Sequence, residues 1–268
     1  MNKAKTEAAL DHAEALPPKL IFEVIRRDGQ DELERPNGSL IWSGIAAGLM
    51  ISLSVFAEAV LRTYLPDAQW THLVENLGYS LGFLVVILGR MQLFTENTIT
   101  TVLPVMQTPS RAIVRRTATL WVLVLLANVV GAFGAAATFA FTSAIPPEVL
   151  PAIEELSRHA TGLPPFEAFQ RAIPAGVLVA AIVWMLPQSA GFEFFLILTF
   201  TWLIAAGDFM HIVAGSVEMA FLFLQGLLSP ADAVFGFFLP VLAGNVLGGT
   251  LIFALLAFGQ VRRELVKQ

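Results

Sequence analysis

The amino-acid sequence predicts an all-α membrane protein of six transmembrane helices, built as an inverted 3+3 repeat with helices two and five broken. Three observations carry that prediction. Hydrophobic residues make up 56% of the 268 positions and charged residues only 14%, with a mean hydropathy of +0.71. Several runs therefore reach the roughly 20 apolar residues that cross a bilayer. The string Ala127-Asn128-Val129-Val130-Gly131 recurs as Gly244-Asn245-Val246-Leu247-Gly248. At the same spacing the polar Thr95-Glu96-Asn97-Thr98 falls on Ile212-Val213-Ala214-Gly215, directly after His211. A duplicated apolar unit with polar residues at matching depth is how many membrane transport proteins are built.

Residues 1–39 read as a polar tail. It lacks a short apolar core behind a basic start, so no cleaved signal peptide is expected, and residues 1–17 are expected to be disordered. Leu20, Ile21, Val24 and Ile25 follow at helical spacing, with Glu23, Arg26 and Arg27 between them. Such a helix lies amphipathically on the cytoplasmic membrane surface or packs at the periphery of the bundle. The channel domain is expected over 40–260. Its first segment is Leu40 to Tyr64, with Trp42 as an interfacial anchor; Glu58 and Arg62, spaced i, i+4, are expected to pair at its end. The second runs from Leu77 to Met106 and the third from Val114 to Thr142. The 143–168 loop, with Pro146, Pro147, Pro151, Pro164 and Pro165, reads as an extracytoplasmic cap with one short helix. The fourth segment is Phe169 to Leu186, the fifth Phe192 to Leu228 and the sixth Ala233 to Phe258, before a tail at 261–268. Segments two and five are too long for one straight span and carry polar residues near the middle, which favours helices broken within the membrane. The repeats cover about 40–142 and 169–258.

Charge sets the expected orientation. Lys3, Lys5, Lys19, Arg26, Arg27 and Arg35 precede the first span, Arg111, Arg115 and Arg116 follow the second, and Arg262, Arg263 and Lys267 end the chain. The opposite loops hold little beyond Arg158, with Arg62 and Arg171 at segment ends. The positive-inside rule places both termini and the 107–113 loop in the cytoplasm of a protein of the inner (plasma) membrane, and three spans per repeat then make the repeats inverted. The net charge of −5 and pI near 5.4 exclude nucleic acid as a partner. There is no cysteine, hence no disulfide, thiol chemistry or zinc–thiolate site. No HExxH, phosphate-binding loop or GxSxG elbow occurs; no enzyme activity, cofactor or metal is expected.

The candidate chemistry sits in the two breaks. His211 is the one histidine inside a span, where a titratable group is costly and faces a cavity or a partner; it either exchanges a proton with a weak acid or packs as a hydrogen-bonded imidazole. Thr95, Asn97, Thr98 and Thr100 form the first break, where they replace water around a solute or cap freed backbone groups. Helix N-termini opened by the breaks would offer N–H groups to an anion. Asn128 and Asn245 are expected to brace the broken backbone, while Gly131, Gly134, Gly248 and Gly249 allow close helix contact. Arg90, Glu96, Asp208 and Glu218 are charges in or near the breaks, and an ion pair across the repeats would explain their tolerance there. Tyr79, Phe83, Leu93, Phe94, Ile204 and Phe209 flank the breaks as candidate constrictions.

Leu93-Phe94-Thr95-Glu96-Asn97-Thr98, the lone His211 and the paired Asn-x-x-Gly together resemble the formate/nitrite transporter family over about residues 40–260. That resemblance implies an aquaporin-like fold, a homopentamer in the lipid bilayer and one pore per protomer. It implies that Leu93, Phe94 and Thr95 belong to the first break, that His211 is the central pore histidine, that Val179 lines the pore, and that Tyr79 and Ile204 lie near its constrictions. The chain departs from the family pattern in Arg90-Met91-Gln92 before the first motif and in Gly176-Val177-Leu178-Val179-Ala180, where an asparagine and a cysteine are usual. Met210 and Gly215 replace an acid and an asparagine around the histidine, and no lysine occurs between Lys19 and Lys267. The expected function is a channel or transporter for a small monovalent anion or its conjugate weak acid. The alternatives are a channel for a different small neutral solute, and a closed-pore sensor or assembly protein.

Overall fold

A computed structural model of the chain describes residues 16–265; nearly all of the segment expected to be disordered lies outside them. The helices are α1 (Pro18–Glu34), α2 (Asn37–Met50), α3 (Ser52–Tyr64), α4 (Thr71–Glu75), α5 (Ser80–Leu88), α6 (Phe94–Thr100), α7 (Val102–Gln107), α8 (Arg111–Phe141), α9 (Leu150–Thr161), α10 (Pro165–Met185), α11 (Glu193–Ala206), α12 (Ile212–Leu224), α13 (Leu239–Val246) and α14 (Leu255–Leu265). Wider π-helical turns, Asp232–Phe238 and Leu247–Ala254, fuse with α13 and α14 into one helix.

Among the described residues five helical stretches are long and apolar enough to cross a membrane: Asn37–Tyr64, Thr71–Leu88, Arg111–Phe141, Pro165–Gln188 and Asp232–Leu265. The remaining crossing is divided between Glu193–Ala206 and Ile212–Leu224, each too short alone. Both breaks therefore fall where length and polarity place them. The ends differ from the sequence reading by several residues. The last helix runs past Phe258 through Leu265, the last described residue, and carries Arg262 and Arg263 beyond the apolar run.

Each repeat packs its first span on its third. α2 lies along α8, and α10 lies along the helix containing α13. The contacts are made at glycine. A Cβ at Gly48 would overlap the backbone carbonyl of Asn128, and one at Gly131 that of Ile45; Gly176 and Gly248 meet Asn245 and Ile173 in the same way. Gly249 abuts the Thr98 side chain, whereas Gly134 has only an ordinary neighbour in Leu49 and is not a close-contact site. α6 packs onto α10 of the other repeat and α12 onto α8, so the half-helices interlock the two halves. α9 covers α3 and α12 on the side away from α1 and α14, which pack on each other. We call this the cap side and the opposite one the terminal side.

α1 is the peripheral packing helix. It buries Ile21, Phe22, Ile25, Gly29 and Leu33 against the bundle. Leu20 and Val24, grouped with that face in the sequence, are instead exposed. The buried stripe runs through Ile21, Ile25, Gly29 and Leu33 at i, i+4 spacing with Phe22 on its other flank, so Leu20 and Val24, one position earlier in each turn, lie outside it. Arg26 and Arg27 both bond Glu23, and the Arg26 guanidinium, chiefly, holds the Glu23 carboxyl down to about 2. The other end of α1 is tied by Arg116 of α8, which donates to the carbonyls of Leu33 and Arg35 at 2.6 Å each and to Asn37 Oδ1. Charge-assisted bonds of this kind contribute about 1.5–3 kcal/mol each. Arg116→Ala is expected to speed amide exchange in α1 at least tenfold without altering exchange in α8, measured by hydrogen–deuterium exchange; unchanged protection would show that apolar packing alone holds the helix.

Candidate functional site

Both breaks are built to one plan. α5 ends in a Schellman turn, with Arg90 N–H on the Ile87 carbonyl and Met91 N–H on the Val86 carbonyl. α11 ends likewise, through Asp208 to Ala205 and Phe209 to Ile204. Such turns need a left-handed residue at their hinge, usually glycine; here Arg90 (φ +50°) and Asp208 (φ +53°) adopt it. One extended residue then starts the next half-helix: Leu93 (φ −100°, ψ 125°) before α6 and His211 (φ −111°, ψ 126°) before α12.

The two asparagines hold these breaks. Asn128 accepts from Phe94 N–H at 2.9 Å and donates to the carbonyls of Gly44 and Gln92 at 2.8 Å. Asn245 accepts from Ile212 N–H and donates to Ala172 and Met210, all at 2.8 Å. These bonds also correct the repeat register. Phe94 stands 34 residues before Asn128, but Ile212 only 33 before Asn245. Hence His211 corresponds to Leu93, not Phe94, and Thr98 corresponds to Ser216, not Gly215. Thr98 and Ser216 each bond back to the preceding turn, on Thr95 and Ile212. A constant spacing read from the Asn-x-x-Gly strings hides this one-residue insertion.

His211 is 2% exposed. Its Nδ1 accepts the Ala214 N–H at 3.3 Å, capping α12, so the neutral ring carries its proton on Nε2. Nε2 lies 2.8 Å from Thr95 Oγ1 and donates to it, joining the two breaks directly. The ring stands edge-on to Phe83, with centroids 4.9 Å apart, and Tyr79 packs on Phe83 in turn. Phe94 turns away, edge-on to Trp121; Leu93, Val179 and Ile204 are wholly buried.

Asn97 donates to Gln92 Oε1 and the Leu93 carbonyl, and Thr100 to the Glu96 carbonyl and Asn97 Oδ1. Asn97, Thr98 and Thr100 therefore cap backbone, while Thr95 meets the histidine. The helix N-termini offer less to an anion than the sequence suggests. The N–H groups of Phe94, Glu96 and Asn97, and of Ile212, Ala214 and Gly215, already have protein acceptors.

Two cavities open near the His211–Thr95 pair, one reaching His211 itself and the other reaching Gln92, Glu96 and Asn97 of the first break. The cap-side cavity, about 260 Å³, is lined by His211, Tyr79, Phe209, Glu58, Asp208 and Glu218 among others. The terminal-side cavity, about 480 Å³, reaches Arg90, Gln92, Glu96 and Asn97 and is walled by Asp28, Asp31 and Glu32 of α1. Burial pushes the Asp28 carboxyl up, with the Arg90 guanidinium opposing.

The expected ion pair across the repeats does not form. Asp208 meets His159 at 3.1 Å and Arg171 at 3.6 Å, while Arg90 has no ion pair among the described residues. Inversion is the reason, since equivalent residues of inverted repeats face opposite mouths. Nor do Glu58 and Arg62 pair. Arg62 turns to Glu75 at 2.9 Å and Glu155 at 3.5 Å, and Glu58 points into the cap-side cavity. The sequence signal for Glu58 was an acid deep in an apolar span; a plausible i, i+4 partner masked it. Glu75, Gln92 and Phe237 also line the cavities and were not singled out, Glu75 because the second span starts six residues earlier than its apolar run.

Residues 19–259 match the family model described as formate/nitrite transporter. The chain is 44% identical over 245 residues to the inner membrane protein YfdC of Escherichia coli (strain K12), covering 91% of this chain and 79% of that one. Among solved structures it is similar to an FNT family ion channel, with TM-score 0.75 and 20% identity over 91% of this chain and 98% of the other. It is also similar to a pentameric formate channel with formate bound, with TM-score 0.68 and 19% identity over 87% and 98%.

Proposed function

The chain belongs to the formate/nitrite transporter family, and from that premise we propose that each protomer passes a small monovalent weak acid, formate in the first instance, across the His211–Thr95 waist in its uncharged form. A multi-pass membrane protein of this family is a transport protein, not an enzyme. The observation that carries the reading is the 2.8 Å bond between His211 Nε2 and Thr95 Oγ1, with one cavity reaching His211 and another reaching the first break. Around it stand a neutral imidazole, a hydroxyl and the Phe83 ring. Stripping a carboxylate-sized ion of water in such surroundings costs on the order of 20 kcal/mol in the ideal limit. A neutral acid avoids that cost and exchanges hydrogen bonds with the threonine hydroxyl, whose proton no described residue accepts. The pore is proposed to repeat in a homopentamer, with the terminal side facing the cytoplasm.

Labelled formate uptake into proteoliposomes tests this. Flux is expected to rise as pH falls from 7 to 5, tracking the uncharged fraction. His211→Phe and Thr95→Val are each expected to lower it about tenfold, the weight of one hydrogen bond of about 1–1.5 kcal/mol in the barrier. Flux that ignores both substitutions, or that is flat with pH, overturns the reading.

A further inference from the structure

The positive groups around the cap-side cavity are already engaged. Arg62 of α3 holds Glu75 and Glu155, and His72 of α4 stands 3.8 Å from Glu75. His159 of α9 and Arg171 of α10 meet Asp208, and His211 is bonded at both ring nitrogens. Two carboxylates remain. Glu58 on α3 and Glu218 on α12, helices that pack together, both line the cavity. Neither has an ion pair or hydrogen bond to a described residue, and Glu58 is only 8% exposed.

A buried carboxylate without a partner is costly, and one aimed into a cavity marks a place for a counter-charge. The same cavity is lined by the rings of Tyr79, Phe209 and Phe237, and Phe237 lies so close on Gly215 that no Cβ would fit there. Aromatic faces attract cations. Among the described residues no three His, Asp or Glu side chains gather as a metal site, so recognition rests on charge and rings rather than on a coordination sphere. A volume of about 260 Å³ holds a methylammonium-sized ion with several waters, at about 30 Å³ each.

We propose that the cap-side cavity binds a small monovalent organic cation of the ammonium class, held between Glu58 and Glu218 against the rings of Tyr79, Phe209 and Phe237. This rests on the reading of that cavity as a mouth of the pore. The site stands before the waist, so it recruits cations and turns away anions while leaving uncharged acids free to pass.

Equilibrium dialysis of labelled methylammonium against the purified full chain in detergent at pH 7.5 tests it. Saturable binding is expected, weakened at least tenfold by Glu58→Gln or Glu218→Gln and kept within about threefold by Glu58→Asp. Sodium should compete poorly and formate not at all. No saturable binding to the unmodified protein, binding that survives both glutamine substitutions in protein that elutes normally, or equal competition by sodium each overturns the proposal. Formate flux without methylammonium binding removes the cation site and leaves the waist reading intact. Methylammonium binding without formate flux does the reverse.

Discussion

Asn245→Leu and Asn128→Leu are each expected to abolish solute flux and leave little protein eluting as a folded species from size-exclusion chromatography. Both asparagines are fully buried, and each holds three backbone groups at 2.8–2.9 Å: one N–H starting a half-helix and two carbonyls. Leucine has similar bulk but no polar atom, so three groups are orphaned away from water. At about 1–3 kcal/mol per orphan the loss approaches the whole stability of a typical domain, about 5–15 kcal/mol. Aspartate is a sharper probe. It still accepts from Phe94 or Ile212, but an ionised carboxylate cannot donate to the carbonyls. Asn128→Asp and Asn245→Asp should therefore fail almost as completely as leucine. A melting temperature in detergent within a degree or two of the unmodified protein for either pair would show that the breaks stand without these struts.

Gly48→Val and Gly176→Val should be nearly as severe, through sterics rather than polarity. Each glycine faces the backbone carbonyl of one of the same asparagines, so the extra atoms meet main chain that cannot turn aside. Forced overpacking of a core costs about 1–3 kcal/mol. Here the displaced backbone also carries a strut, so flux should fall together with thermal stability. Gly134→Val is the control, since its nearest neighbour is the Leu49 side chain at ordinary contact distance, and it should melt normally. Equal damage at Gly134 would mean that lipid-side packing, not the asparagine contact, sets the requirement.

Much of this plan was legible from residues alone. Apolar runs report spans because a bilayer admits few alternatives. The polar strings at Thr95–Thr98 and around His211 mark breaks because only broken helices tolerate them at that depth. Asn128 and Asn245 stood out as struts, being amides repeated in apolar surroundings. Three-dimensional proximity was less legible. Pairing Glu58 with Arg62 was reasonable on helical spacing, but Glu75 arrives from a different helix and takes the arginine. Pairing Arg90 with an acid of the other repeat ignored what inversion does to equivalent positions. The one-residue insertion between the first break and its asparagine left no mark in the strings that revealed the repeat. Only the hydrogen bonds show that leucine and histidine occupy matching places, and so that the two halves diverge chemically at that point.

The left-handed hinge residues make the two ends of the path electrically unlike. Arg90 puts a positive charge at the terminal-side hinge, and Asp208 puts a negative one, met by His159 and Arg171, at the equivalent hinge on the cap side. A passive pore obeys detailed balance, so such asymmetry moves no solute uphill. It does change how much of the anion, from which the uncharged acid forms, gathers at each mouth at a given concentration. Half-saturation of flux in one direction should therefore differ from that in the other, and vesicles sorted by orientation would show rectification under equal and opposite gradients.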